Sequence, residues 1–287
     1  VFAIDICAYA IMSNHYHLVL RVDREKGAGW TRKEVVEHWK RLHGLPVLVT
    51  RYLAGETTTQ AESQAAEAII QTWRERLTDI SWFMRSLNEH LARRANEEDS
   101  CKGRFWEGRF KSQALLDEAA VLTCMSYVDL NPVRAGIADL PETADFTSIQ
   151  QRLRRHAQNA TKAASRTEAD PTAVPLMPLV KQSRDPHKNA IGFTTRDYLE
   201  LVDWAGRAVR EGKRGAIAET TPPILQRLGL DPERYLDHLA GAASTEQPTA
   251  LGHVLKVREA ATRFGRRFIK GVGVARQLYR PPLDALT

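Results

Sequence analysis

Apolar and polar positions change their spacing several times along the chain, and each change marks an element. The opening segment FAIDICAYAIMSNHYHLVLRV alternates loosely and is rich in Ile, Val, Tyr and Leu, while Met12-Ser13-Asn14 interrupts it with turn-prone residues. This predicts a strand, a tight turn and a second strand. Residues 31–54 mix aromatics with charges, and a helix is predicted over 32–42. From Glu62 a helical pattern runs through Ala65, Ala68, Ile69, Trp73 and Leu77. Ile80, Phe83, Met84, Leu87 and Leu91 then recur at steps of three and four, which places them on one face of a helix ending near Asn96. A basic stretch, CKGRFWEGRFKSQ, predicts a hairpin or irregular loop. Asp117-Glu118 opens the next helix, since carboxylates suit the positive helix end, with Ala120, Val121, Cys124, Met125 and Val128 apolar. Pro132 disfavours helical geometry at Asn131, so the regular part should stop there.

Between Arg155 and Lys188 the pattern dissolves, and Ala, Thr, Ser, Asn and Pro dominate residues 157–178, which reads as a linker. Short helices are predicted beyond it over 197–210, 222–228, 232–239 and 255–268. The last hundred residues thus read as an all-helical appendage. No internal repeat is visible.

The 287 residues suffice for one large domain or two ordinary ones. An apolar fraction of 43% and a charged fraction of 26% exclude general disorder and a fibrous repeat. No apolar run approaches the roughly 20 residues that cross a bilayer, so no membrane partner is expected. Residues 1–12 lack a basic leader and carry Asp5, a poor match to a signal peptide. Cys7, Cys101 and Cys124 are odd in number and lack metal-type spacing, which predicts reduced thiols and a cytoplasmic location. The net charge of +6 agrees with a polyanionic partner without demanding one.

Three clusters can carry chemistry. His15 and His17 flank Tyr16 at the start of the second predicted strand, and alternate strand residues share a face. Two neutral imidazoles so placed make half of a divalent-cation site, although packed or surface histidines produce the same pattern. Tyr127 lies at the margin of its helix's apolar stripe, with Asn131 four residues on and on the same face if the last turn stays helical. A boundary tyrosine with its hydroxyl in water explains Tyr127; so does a covalent nucleophile, which needs a base or metal because a free phenol ionises only near pH ~10. Finally, Lys102, Arg104, Arg109 and Lys111 surround Phe105, Trp106 and Phe110. Cations hold phosphates and aromatic faces stack on unpaired bases, so this mixture suits single-stranded or distorted nucleic acid; a solvated loop with its aromatics folded inward also fits. A further basic run over 256–280 is explained by a solvated amphipathic helix.

Taken in order, MSNHYHLVLRV, FMRSLNEHLARR, GRFWEGRFKSQALL and SYVDLNPVRAGIA resemble the single-tyrosine HUH transposases, and most closely the REP-associated tyrosine transposases and their bacterial relatives. The resemblance covers residues 5–137. It implies an α+β fold in which an antiparallel HUH sheet, of ferredoxin-like or RRM-like type, presents the histidines and a helix presents one tyrosine opposite them. His15 and His17 match the metal ligands, Asn131 the polar third ligand, and Tyr127 the nucleophile. The implied cofactor is Mg²⁺ or Mn²⁺. The implied partner is DNA, single-stranded or hairpin, held by Lys102, Arg104, Trp106, Arg109 and Lys111, with a homodimer possible in this family. The expected division is a catalytic domain over 1–155, a linker over 156–190 and a helical domain over 191–287. The chain opens with Val inside a predicted strand, where such domains have an earlier strand and helix, so a truncated catalytic domain is expected; the terminal helices are an addition to the minimal transposase. A DNA-binding protein without catalysis (a regulator or decayed transposase) and a replication or conjugation nickase are the alternatives.

Overall fold

The alternating opening folds as a hairpin. Strand β1 (Ile4–Ile11) pairs antiparallel with β2 (Tyr16–Val22), and the Met12 N–H donates to the His15 carbonyl at 2.9 Å to close the turn. The computed structural model describes residues 1–161, 175–180, 190–210, 221–241 and 248–280. It is a mixture of helix and strand in which helix dominates. Among the described residues, no helix is long and apolar enough to cross a membrane.

The chain divides into two compact units, one of residues 1–5 and 20–111, the other of residues 6–19 and 112–287. The first contains α1 (Arg24–Gly29), α2 (Arg32–Lys40), α3 (Val47–Leu53), α4 (Gln60–Leu77) and α5 (Ile80–Glu98). Local chemistry sets their starts. Thr31 with Glu34, and Thr59 with Glu62, form reciprocal capping boxes on α2 and α4, while Asp79 accepts from the Trp82 N–H to open α5. Val35, Val36, Trp39, Val49, Ile70, Trp73 and Leu77 are buried together, and Trp39 and Trp73 stack with ring centroids 5.1 Å apart.

The second unit takes up β3 (Ala114–Leu115), α6 (Glu118–Asp129), α7 (Asn131–Arg134), a 3₁₀ turn (Pro141–Thr143), α8 (Ser148–Thr161), α9 (Thr195–Arg210), α10 (Pro223–Arg227), α11 (Pro232–Leu239), β4 (Ala250–Leu251), α12 (Val254–Arg263) and α13 (Val272–Leu278). Helix α6 runs through its centre. Leu122, Met125 and Val128 share one core with Cys7, Ala8, Ala10 and Val19 of the hairpin and with Tyr198, Leu201, Leu225, Tyr235 and Leu239 of α9–α11. Asp117 caps α6 through the Ala120 N–H at 2.8 Å and also accepts from the His253 N–H and the Tyr279 hydroxyl, tying the start of α12 and the residue after α13 to the start of this helix. Along the outer edge of β1, Ile6 bridges to Leu176 and Ala10 to Thr147. These segments cover polar edge groups that would otherwise offer a template for pairing.

This division differs from the expected one. Helices α9, α10 and α11 do not stand apart as a helical appendage, because their apolar faces are buried on α6 and the hairpin. Residues 20–111 separate instead from the expected 1–155 domain, because their apolar side chains close on a tryptophan-rich core of their own. Part of the expected linker is structured: 156–161 completes α8, and Met177 donates its N–H to Ile6 at 2.8 Å. The rest of that linker, 162–174 and 181–189, lies outside the described residues, as do stretches of the expected helical domain. Helix α12 ends at Arg263, short of the predicted 268, and the separate helix α13 follows.

Candidate functional site

His15 lies in the turn and His17 in the first residues of β2, so the hairpin geometry brings the two imidazoles together on one side. Their ring centroids are 5.0 Å apart, edge to face. The His15 Nδ1 lies 2.6 Å from the Asn14 side-chain oxygen, a contact that, with Nδ1 as the donor, leaves Nε2 as the nitrogen to face a ligand. Burial pushes the His17 imidazolium below the ordinary histidine range, helped by His15 and Arg134, and this favours the neutral ring.

Tyr127, on α6, turns its ring toward this pair. Its centroid is 6.2 Å from that of His17, at nearly a right angle, although the two residues are more than a hundred positions apart in sequence. The register of α6 explains the orientation. Ser126, Val128 and Asp129 are buried, and Tyr127 occupies the half-buried edge of the same turn. His15, His17 and Tyr127 are therefore brought together within the second unit.

The regular helix stops just before Asn131, as expected from Pro132, so Asn131 does not continue the turn that carries Tyr127. Helix α6 ends at Asp129, and Leu130 leads into the separate turn α7, where Pro132 is tolerated as an early residue. Asn131 is half-buried, and its side chain makes no hydrogen bond among the described residues. No group of three His, Cys, Asp or Glu side chains converges among them. A cation here would thus draw on the two imidazoles and on neutral oxygen donors such as an Asn carboxamide.

Two further residues border Tyr127 that the sequence reading did not single out. Arg134, the last residue of α7, sets its guanidinium carbon 4.3 Å from the Tyr127 ring centroid. His238 of α11 lies on another side, with ring centroids 6.5 Å apart. Burial, and then Arg134, hold His238 below the ordinary range. Gly241 supports this arrangement. It terminates α11 with φ +77°, and a β-carbon there would stand 2.7 Å from an Arg134 terminal nitrogen.

The expected DNA-binding stretch belongs to the first unit. Lys102, Arg104, Arg109 and Lys111 are exposed. Trp106 is half-buried, and its indole N–H donates to the Asn88 carbonyl of α5 at 2.9 Å, so one edge of this ring is anchored. Phe105, 46% exposed and edge-on to Trp106 at 4.8 Å, is the freer aromatic face. Trp82, Arg85, Trp106, Arg109 and Phe110 line a groove of about 520 Å³, and the Trp82 ring is approached by Arg76 at 4.2 Å and by Arg85 at 5.0 Å. Cations beside ring faces are what a single strand requires. Arg85→Ala and Arg109→Ala are each expected to lower the slope of log affinity against log salt for single-stranded DNA by about 0.7, the share of one released phosphate contact. Fluorescence anisotropy across a salt series checks this.

No family model, curated protein or solved structure matches the chain. The functional reading therefore rests on these residues and their geometry.

Proposed function

We propose that the chain is a single-strand DNA nuclease and strand transferase of the single-tyrosine HUH type, with Tyr127 as nucleophile. The observation that carries this reading is the meeting of an imidazole pair and a phenol from distant segments. The four sequence motifs, in their order, support the same reading. In it, His15 and His17, with Asn131 as the third donor, would hold Mg²⁺ or Mn²⁺. The cation, when bound, supplies polarisation of the scissile phosphate and offsets charge that grows in the transition state. The Tyr127 oxygen forms a bond to phosphorus, the bond to the 3′ oxygen breaks, and the net proton transfer runs from the phenol to that 3′-hydroxyl. The resulting 5′-phosphotyrosine keeps the energy of the diester, so a second hydroxyl can reverse the step and join new ends. The basic, aromatic-lined groove holds unpaired DNA. It also favours a second reading, a DNA-binding protein without catalysis, since the groove does not involve Tyr127.

Incubating the protein with Mn²⁺ and a labelled pool of hairpin oligonucleotides bearing single-stranded flanks separates the two. A labelled protein band on a denaturing gel supports the enzyme. A shift seen only on native gels supports the binder. His17→Ala and His15→Ala are expected to lose the covalent band, as is wild type in EDTA; adducts undiminished in EDTA would exclude the metal role.

A further inference from the structure

We infer that Arg134, assisted by His238, forms an oxyanion-binding site beside Tyr127, and that its ligand is a phosphate group. A guanidinium keeps its charge at any pH a protein meets, and its five N–H groups point outward in the plane of the group. The Nε and Nη1 of Arg134 are buried without a hydrogen-bond partner, and no carboxylate forms an ion pair with it among the described residues. Stacking on the Tyr127 ring satisfies the face of the guanidinium but leaves its N–H edge unmet. The His238 Nδ1 is likewise buried and unpartnered. His17 also borders Tyr127, with His15 beside it, so the rings and the guanidinium against Tyr127 bring no negative charge. A half-buried cation whose enclosed Nε and Nη1 lack partners is completed by an anion, and a planar fork of donors matches phosphate oxygens.

The choice of phosphate over other anions rests on the reading of Tyr127 as the residue that meets a phosphoryl group. In that reading Arg134 holds the non-bridging oxygens while the phenol approaches phosphorus. The anion site itself needs neither the nucleophile nor a metal, which makes it testable alone.

The full chain, in chloride buffer with EDTA, is titrated with inorganic phosphate while histidine ring signals are followed by NMR and unfolding is followed by heat. Wild type is expected to show movement of the His17 and His238 signals and a rising melting temperature. Arg134→Gln is expected to bind phosphate about tenfold more weakly or worse, because a charge-assisted bidentate contact is lost. Arg134→Lys keeps the charge without the fork, and so tests the site even if the Gln variant folds poorly; it should fall between the two. Wild-type signals that ignore phosphate, or an Arg134→Lys variant that binds as wild type does, would overturn the inference. A second arm replaces phosphate by short single-stranded DNA and asks whether the same signals move, which distinguishes a diester site from one for free phosphate; DNA that leaves those signals still while phosphate moves them overturns the diester assignment. Phosphate binding through Arg134 without any covalent adduct in the Mn²⁺ assay would leave this site standing and remove the nuclease reading. Adduct formation with phosphate binding indifferent to Arg134 would do the reverse.

Discussion

Tyr127→Phe is expected to abolish covalent capture of DNA while leaving DNA affinity within about twofold of wild type. The substitution removes one oxygen and keeps the ring. That ring packs edge-on to His17 at 6.2 Å and beneath Arg134 at 4.3 Å, and both contacts survive in Phe. The groove lined by Trp82, Arg85 and Arg109 involves other residues altogether. Binding and chemistry should therefore part cleanly. Denaturing and native gels run on the same hairpin pool measure the two quantities side by side. A Phe variant that still carries label through denaturation would show that another residue makes the link, and a variant that loses native binding as well would show that the hydroxyl serves recognition.

The second large effect concerns stability. Asp129, at the last turn of α6, is fully buried and accepts hydrogen bonds from the Ser148 hydroxyl, the Ile149 N–H and the Tyr198 hydroxyl. One carboxylate thus joins α6, α8 and α9. Asp129→Ala leaves three buried donors without an acceptor, and an expected cost of about 3–5 kcal/mol follows. For a unit of this size that lowers the melting temperature by roughly 10 °C. Asp129→Asn keeps one acceptor oxygen and should lose less. The two variants also bear on pH. Burial pushes the Asp129 carboxyl up to about 6 from 3.8, against the opposing pull of its hydrogen bonds and Arg152. The folded state then binds the extra proton between those values, so this residue's contribution is most favourable at low pH and declines as pH rises toward 6. Relative to Asp129→Asn, wild type should lose on the order of 3 kcal/mol across that window and nothing further above it. Urea unfolding of both proteins from pH 4 to pH 8 checks the sign and the window; a constant difference would mean that Asp129 is charged throughout.

Strongly periodic elements were readable in the sequence for a plain reason. Helix α5 carries one apolar face, and α6 begins at an acid that does cap it. The hairpin is marked by its alternation and by turn residues at its tip. Helix α8 escaped because its pattern is atypical. Its buried positions include Gln150 and Arg152, the latter donating to the carbonyls of Cys7 and Met177, so a cation occupies a core position where an apolar residue is sought. The common core of α9–α11 and α6 was hidden for a different reason. Amphipathic helices announce that they bury a face but not against what, and a polar stretch between them looks like a boundary whether or not the flanks pack together. In the site, His15, His17 and Tyr127 stood out because their side chains are reactive and their spacing is local to each segment. Arg134 and His238 did not, since an arginine closing a short turn and a histidine on an amphipathic helix are ordinary until coordinates bring both to one ring. The NPVR segment stands out for its Asn and Pro, and nothing in it marks an Arg whose Nε and Nη1 are enclosed without partners.

The second unit is interrupted: the chain leaves it after Val19 and returns at Ser112. During synthesis, the hairpin bearing the imidazoles therefore emerges well before the helix that positions Tyr127, and α11 with His238 emerges later still. The ~90 residues in between can collapse on their own tryptophans while the hairpin waits for its partners, and bringing such distant segments together is a slow step in assembly. A nascent chain therefore holds His15 and His17 apart from Tyr127 and Arg134 until α6 and α7 have emerged, and from His238 until α11 has followed.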